Sequence, residues 1–166
     1  MALSQSEIAQ FQEADELGVR LEMIAGQPFW EFQPNYDHQD RVARIYMSVL
    51  PDPESAGGCP CIRAMDVAIR FPDDSLRRPD LSIFCREPER RELITLVPEA
   101  VVEVISQRSR EKDLVTGPPH YLSMGVKDVI VVDPVSDEIH HVRREGTRQL
   151  KSGVTIRLEC GCVVSV

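Results

Sequence analysis

Lysine is scarce in this chain: of 19 basic residues only Lys112, Lys127 and Lys151 are lysines, so chemistry that needs an ammonium group has three candidates. Long apolar runs are missing too. None approaches the roughly 20 residues needed to span a bilayer. The opening MALSQSEIAQ has neither the basic segment nor the apolar stretch of a secretory signal, so a cytoplasmic protein with no membrane partner is expected. Nor is there an excess of positive charge. A formal net charge of -8 argues against a protein that coats nucleic acid non-specifically, because phosphate affinity comes mostly from Lys and Arg releasing counterions. A local basic cleft stays compatible with that balance. What is present is ordinary for a globular chain, 42% hydrophobic and 28% charged, and 166 residues without repeat or linker predict a single domain over 1–166.

Five cysteines occur, as Cys59-Pro60-Cys61, Cys160-Gly161-Cys162 and a separate Cys85. An odd count in a chain read as cytoplasmic does not suggest a disulfide framework. The two pairs together could offer four thiolates to tetrahedral zinc, although one intervening residue is tighter than the usual spacing. The competing reading is that they are small buried side chains.

Ser4 and Glu7 form a capping-box pattern, and Ile8, Phe11, Ala14 and Leu17 recur at helical spacing, which predicts a helix from Gln5 to Leu17 ended by Gly18. VRLEMIAGQPFWEFQ predicts a hairpin broken at Ala25-Gly26-Gln27, and Asp37 to Leu50 a second helix with Val42, Ile45, Tyr46 and Val49 on one face. A strand is expected over Ile62–Phe71, then a turn at PDDSLRRP, a short strand DLSIF, and an apolar central strand VVEVIS. A helical connection leads to a second apolar strand, DVIVVD, so the two form a parallel βαβ unit. From Glu138 on, short strands and turns predict an antiparallel meander.

Glu103 is the informative anomaly, because a carboxylate in a buried strand is costly unless paired, protonated or bound to a cation. Asp80 begins the preceding short strand. If the two strands pair antiparallel, its side chain can lie near Glu103, and such a pair suits Mg²⁺. Taken singly, Asp80 reads as a turn residue after proline and Glu103 as an edge or ion-paired carboxylate.

The residues Pro79-Asp80, Glu103 to Ser106, Asp113, Tyr121, Gly125-Val126 and Asp133-Pro134, with LEMIAG and Asp37-His38-Gln39 before them, resemble the Uma-type restriction endonuclease family, formerly a domain of unknown function and part of the PD-(D/E)XK nuclease superfamily. The resemblance covers Leu21 to about Val142. It implies an α/β fold, a restriction-endonuclease-like mixed β-sheet flanked by helices. It also implies phosphodiester hydrolysis dependent on Mg²⁺ (or Mn²⁺), with Asp80 and Glu103 as metal ligands and nucleic acid, DNA favoured, as partner. Glu22 and His38 stand at family-like positions, against the blander readings of a solvent-facing strand carboxylate and a helix-start histidine. A homo-oligomer is left open.

The pattern departs from the family at its lysine. Two residues after Glu103 stands Ile105, and four before Tyr121 stands Gly117, where Gly117-Pro118-Pro119 is expected to interrupt the helix and start a short one carrying His120 and Tyr121. Lys151 lies in the loosely matched tail and Lys127 at the amino end of the DVIVVD strand, which leaves Lys112 as the substitute. Arg108, Arg110 and His120 are further candidates for that role. Arg77, Arg78, Arg86, Arg90, Arg91, Arg108 and Arg110 flank the acidic strands as a rim for a nucleic-acid backbone, or simply as solvated surface. Two functions follow: an active nuclease using a substitute cation, or an inactive nuclease-like module that binds nucleic acid or a protein. A zinc-stapled structural module is a third.

Overall fold

The computed structural model describes residues 4–91, 93–106 and 109–166, so Arg108 lies outside the described residues. Helix α1 (Gln5–Leu17) starts on the predicted capping box: the Ser4 hydroxyl accepts from the Glu7 N–H at 3.2 Å and the Glu7 carboxylate accepts from the Ser4 N–H at 2.8 Å. Only part of its apolar stripe is used, since Ala14 is buried while Ile8 and Leu17 stay exposed. Strands β1 (Val19–Ile24) and β2 (Gln27–Phe32) form the expected hairpin through Ala25 and Gly26, both at positive φ. Helix α2 (Tyr36–Ser48) is capped by the Asn35 side chain, which accepts from the His38 N–H at 2.9 Å. It ends before the predicted Leu50, because Val49 is already extended and Leu50–Pro51 form the short strand β3.

The single strand expected over 62–71 is two strands in different sheets: β4 (Ile62–Met65) and β5 (Ala68–Arg70). Asp66 between them adopts φ 51°, a left-handed conformation tolerated by Asp more than by most residues, and its carboxylate is held by Arg20 at 3.0 Å and Arg78 at 3.3 Å. There follow β6 (Leu76–Arg77), β7 (Leu81–Phe84), β8 (Leu93–Ile94) and β9 (Ala100–Val104). A π-helical turn (Lys112–Thr116) runs without a break into α3 (Gly117–Ser123). The expected short helix carrying His120 and Tyr121 does begin there, but it continues directly from the π-helical turn instead of following a break. Pro118 and Pro119 sit at the first positions of α3, where a missing N–H costs little. The chain closes with β10 (Asp128–Asp133), β11 (Glu138–Arg143), β12 (Gly146–Lys151), β13 (Thr155–Arg157) and β14 (Cys162–Ser165).

The main sheet has the order β12-β11-β10-β9-β7-β4, mixed as expected: β9 and β10 are parallel and their outer neighbours antiparallel. The meander is divided. Strands β11 and β12 extend the main sheet, whereas β13 and β14 pair with β3 in a separate one. Along β9, Ala100, Val102 and Val104 pack against Val42 and Ile45 of α2, while Val101 packs with Tyr121 and Val129 on the other face. Period-two alternation therefore aims Glu103 toward the α3 side.

The cysteines depart from the odd-count expectation, for Cys59–Cys85 and Cys61–Cys162 are disulfide-bonded at Cα separations of 4.7 and 5.9 Å. The reason is topological. Pairing of Ile62 with Phe84 brings the residues flanking β4 and β7 level, and β14 begins beside them at Cys162. Among the described residues no helix is long and apolar enough to cross a membrane.

Candidate active site

Leu81 pairs with Val102 and Ser82 with Val101 across the antiparallel β7–β9 ladder, and one step further this register sets Asp80 opposite Glu103. The two are linked directly: the Asp80 N–H donates to Glu103 Oε2 at 3.2 Å. Glu103 lies near the carboxyl end of β9, where sites in parallel sheets gather. Its other oxygen accepts from the Tyr121 hydroxyl at 2.6 Å, so among the described residues no cation is a hydrogen-bond partner of Glu103. Burial above all, then the Asp80 and Asp113 carboxylates, pushes the Glu103 carboxyl well above the usual range.

Asp80 is buried as well, which alone would raise it, yet the balance is the reverse. His38 Nε2 stands 3.2 Å from Oδ2, Arg20 donates to Oδ1 at 3.3 Å and the Val104 N–H to Oδ2 at 2.8 Å, and together they hold the carboxyl below its usual value. Nearby, the Glu22 carboxylate accepts from the Arg78 N–H at 2.8 Å and from Lys112 Nζ at 3.1 Å, with Arg77 Nε at 3.4 Å. The solvent-facing reading of Glu22 is therefore wrong, since the residue is only 1% exposed. Burial pushes its carboxyl up, but Lys112 and Arg77 outweigh that and keep it low. Lys112 Nζ also lies 2.9 Å from Glu31 and 3.5 Å from Asp113. These anions overcome its own burial and hold the ammonium charged far beyond physiological pH. Burial pushes Asp113 up to about 6, against the pull of Lys112 and of the Ser109 hydroxyl.

Of the sequence-derived candidates, Asp80, Glu103, Glu22, His38, Lys112, Asp113 and Tyr121 thus belong to one network. His120 does not join it, because its Nε2 is spent on Ser75 and Asp73, each at 3.0 Å. His38 is more than a helix-start residue, as its ring also meets the Val104 carbonyl at 2.9 Å. Arg77 is no rim residue: it is 1% exposed and lies over the Tyr121 ring at 4.9 Å. Arg110 pairs with Asp133 at 2.6 Å, whereas Arg86, Arg90 and Arg91 are exposed. Arg86 lines an open hollow of about 500 Å³ with Glu87, Glu89 and Leu96, none of them a partner of the buried carboxylates. Sequence reasoning missed Arg20 and Glu31. Arg20 and Glu22 alternate with Leu21 and Met23, a pattern that reads as a polar strand face in water.

The two positions at which a lysine was expected are closed in different ways. Ile105 is buried and packs with Val101 and Tyr121. A Cβ on Gly117 would stand 2.8 Å from the Lys112 carbonyl oxygen and 3.7 Å from an Arg77 nitrogen, so no longer side chain fits there without a backbone shift.

The Uma2 family model, described as putative restriction endonuclease, matches residues 7–159. The chain belongs to this family. A solved structure, described as a putative nuclease belonging to DUF820 from Anabaena variabilis, is similar at a TM-score of 0.68 with 17% identity, covering 93% of this chain and 88% of that one. The Uma2 model and this shared fold together support a nuclease-like function. No curated protein matches the chain. Restriction-endonuclease-like families generally use divalent metals. The donors in this Uma2 chain fit such an ion, since Asp80 and Glu103 offer hard oxygens and, among the described residues, no cation is hydrogen-bonded to Glu103, whose carboxyl is pushed up by burial and by the Asp80 and Asp113 carboxylates.

The His38–Asp80 contact makes one stability effect depend on pH. Burial lowers the His38 pKa, but the Asp80 hydrogen bond and charge raise it more. Its contribution is therefore complete below the unfolded value of about 6.5 and disappears as pH rises through the raised folded value. His38→Gln should cost about 1–2 kcal/mol at pH 6 and much less at pH 9, measured by urea unfolding at both. Equal losses at the two pH values would mean that the imidazole is neutral in the fold.

Proposed function

We propose that this chain is a divalent-metal-dependent endonuclease that hydrolyses phosphodiester bonds in nucleic acid, with DNA favoured, in the cytoplasm. Asp80 and Glu103 would hold Mg²⁺ or Mn²⁺. The observation that carries the reading is the placement of Glu103 opposite Asp80, with burial first and then the Asp80 and Asp113 carboxylates pushing its carboxyl well above the usual range. When bound, the ion supplies a water of lowered pKa and screens the charge that gathers on the scissile phosphate.

The residues of the chain divide the remaining work. Asp80, ionised and fixed by Arg20 and the Val104 N–H, is a ready ligand, whereas Glu103 must release a proton to become one. Tyr121 holds Glu103 in position through its hydroxyl. Lys112 substitutes for the family lysine as a fixed positive charge and hydrogen-bond donor. Its raised pKa makes it unfit to accept a proton, so its part is to orient water or stabilise charge.

The test is cleavage of single-stranded DNA, duplex DNA and RNA with Mg²⁺ or Mn²⁺, by the parent and by Asp80→Asn. The parent should cut in metal and stop in chelator, and the variant should lose at least about 100-fold in rate. Calorimetry should show weaker Mn²⁺ binding to Asp80→Asn and to Glu103→Gln; undiminished binding to both would refute the site. A second reading, an inactive module that binds nucleic acid or a protein, is favoured by Ile105 and the filled space at Gly117. A parent that binds Mn²⁺ and DNA but cuts none of the three substrates would establish it.

A further inference from the structure

We infer that the cysteines gathered where β4, β7 and β14 meet form a zinc–thiolate site in the reduced protein, with Cys59, Cys85, Cys160 and Cys162 as ligands. The sulfurs of Cys59, Cys160 and Cys162 lie within 4.8 Å of one another, and Cys59 Sγ is 3.5 Å from Cys162 Sγ. With Zn–S bonds of about 2.3 Å, the edge of a zinc–sulfur tetrahedron is about 3.8 Å, so the Cys59–Cys162 separation already approaches such an edge, and the Cys59–Cys85 bond must open before a fourth sulfur can join them. Cys85 is bonded to Cys59 and its sulfur lies 3.9 Å from the Cys160 carbonyl oxygen, on the less buried side of the cluster shared with Cys160. Cys61 is bonded to Cys162 and its sulfur also lies 3.4 Å from the Cys59 carbonyl oxygen, on the buried side of the cluster, so Cys85, on the side of Cys160, is assigned as the fourth ligand.

The loops that carry these sulfurs are held in unusual conformations. Cys61 adopts φ 51°, uncommon for a residue with a Cβ. Gly161 adopts φ 90°, and a Cβ there would stand 2.6 Å from the Ser55 hydroxyl, so only glycine allows Cys160 and Cys162 to approach Cys59 together. Hydrogen bonds from Asp52 N–H to the Gly161 carbonyl at 2.9 Å and from Leu158 N–H to the Cys162 carbonyl at 2.8 Å fix that loop.

Disulfides alone do not make this a single structure. Free Cys160 stands beside Cys59 of one bridge and Cys162 of the other, a position from which a thiolate can attack either. In a reducing compartment the bridges open. Each takes two electrons and two protons from a dithiol reductant, which closes to its own disulfide. Zinc then binds four of the thiolates as four protons leave, which gives the sulfurs one stable arrangement and links β14 to the β4–β7 end of the sheet.

The experiment starts from the full chain purified with a dithiol reductant and equimolar zinc, then desalted. Metal analysis should find close to one zinc per chain, and Co²⁺ in its place should give the intense near-ultraviolet thiolate band and visible absorption of a tetrahedral sulfur site. Cys160→Ser and Cys85→Ser should lose the metal, and Cys61→Ser should keep it. Because a variant can lose metal by misfolding, the cobalt spectrum of the parent stands as an independent measurement. Five titratable thiols with no retained zinc and no thiolate–cobalt band would overturn the inference. Loss of zinc from Cys61→Ser as complete as from Cys160→Ser, with both variants folded by circular dichroism, would overturn the ligand assignment.

Discussion

Lys112→Met is expected to destabilise the chain by about 3–5 kcal/mol, a fall of roughly 6–20 °C in melting temperature, because it leaves buried carboxylates without their shared cation. Lys112 Nζ lies within 3.5 Å of oxygens on Glu22, Glu31 and Asp113, and Glu22 is the most enclosed of them. The partner variant separates this structural part from catalysis. Glu22→Gln removes the charge that most needs Lys112, so the double variant Glu22→Gln/Lys112→Met should regain much of the stability lost by Lys112→Met. In a double-mutant cycle the coupling should be well above that of an exposed pair. A near-zero coupling would show that the ammonium is not what keeps Glu22 ionised. Cleavage is then assayed on the folded double variant: a rate equal to that of Glu22→Gln would remove Lys112 from the mechanism.

The second large effect concerns Glu103. Because its folded pKa is raised, the native state keeps a proton that the unfolded chain releases near pH 4.3. Stability from this group is therefore greatest at low pH and falls as pH rises, by about 1.4 kcal/mol per pH unit between the unfolded and folded values. Asp113 acts with the same sign up to about 6. In metal-free buffer the parent should thus lose stability on going from pH 5 to pH 8, while Glu103→Gln should hold its stability and exceed the parent at pH 8. The amide keeps the shape, accepting from the Asp80 N–H and donating to the Tyr121 oxygen. Mn²⁺ should reverse the order, stabilising the parent more at pH 8 than at pH 5, because it competes with the Glu103 proton. A variant less stable than the parent at every pH, without metal, would identify Glu103 as an ordinary ion-pair partner.

The carboxylate pair was legible because a charge in AVVEVIS has no inexpensive explanation and because strand register is a one-dimensional matter: Asp80 and Glu103 had only to face each other across one ladder. The capping box at Ser4 and the hairpin at Ala25-Gly26 were legible for the same reason, their signals being local. What stayed hidden depends on contacts far apart in sequence. Arg20 reaches Asp80 across 60 residues and Lys112 reaches Glu22 across 90, so nothing near Arg20 in the sequence distinguishes it from a surface arginine. The break at Asp66 was missed because apolar alternation continues through it, while the left-handed turn is stabilised by two distant arginines. The disulfides were missed because counting cysteines carries no information on which segments converge.

The glycine at the head of α3 also sets the order in which this site could be rebuilt. Gly117 sits against the carbonyl of Lys112, the residue proposed as the fixed cation of the site, with an Arg77 nitrogen in ordinary contact at 3.7 Å from where a Cβ would stand. A lysine introduced first would push on the backbone that holds Lys112, and so damage the substitute before it could replace it. The workable route runs the other way: relaxing the π-helical turn that carries the Lys112 carbonyl must come before the exchange at 117, with Glu22 neutralised meanwhile so that no buried anion is left alone. The fold thus acts as a ratchet, and intermediates along the direct path are the ones expected to fail.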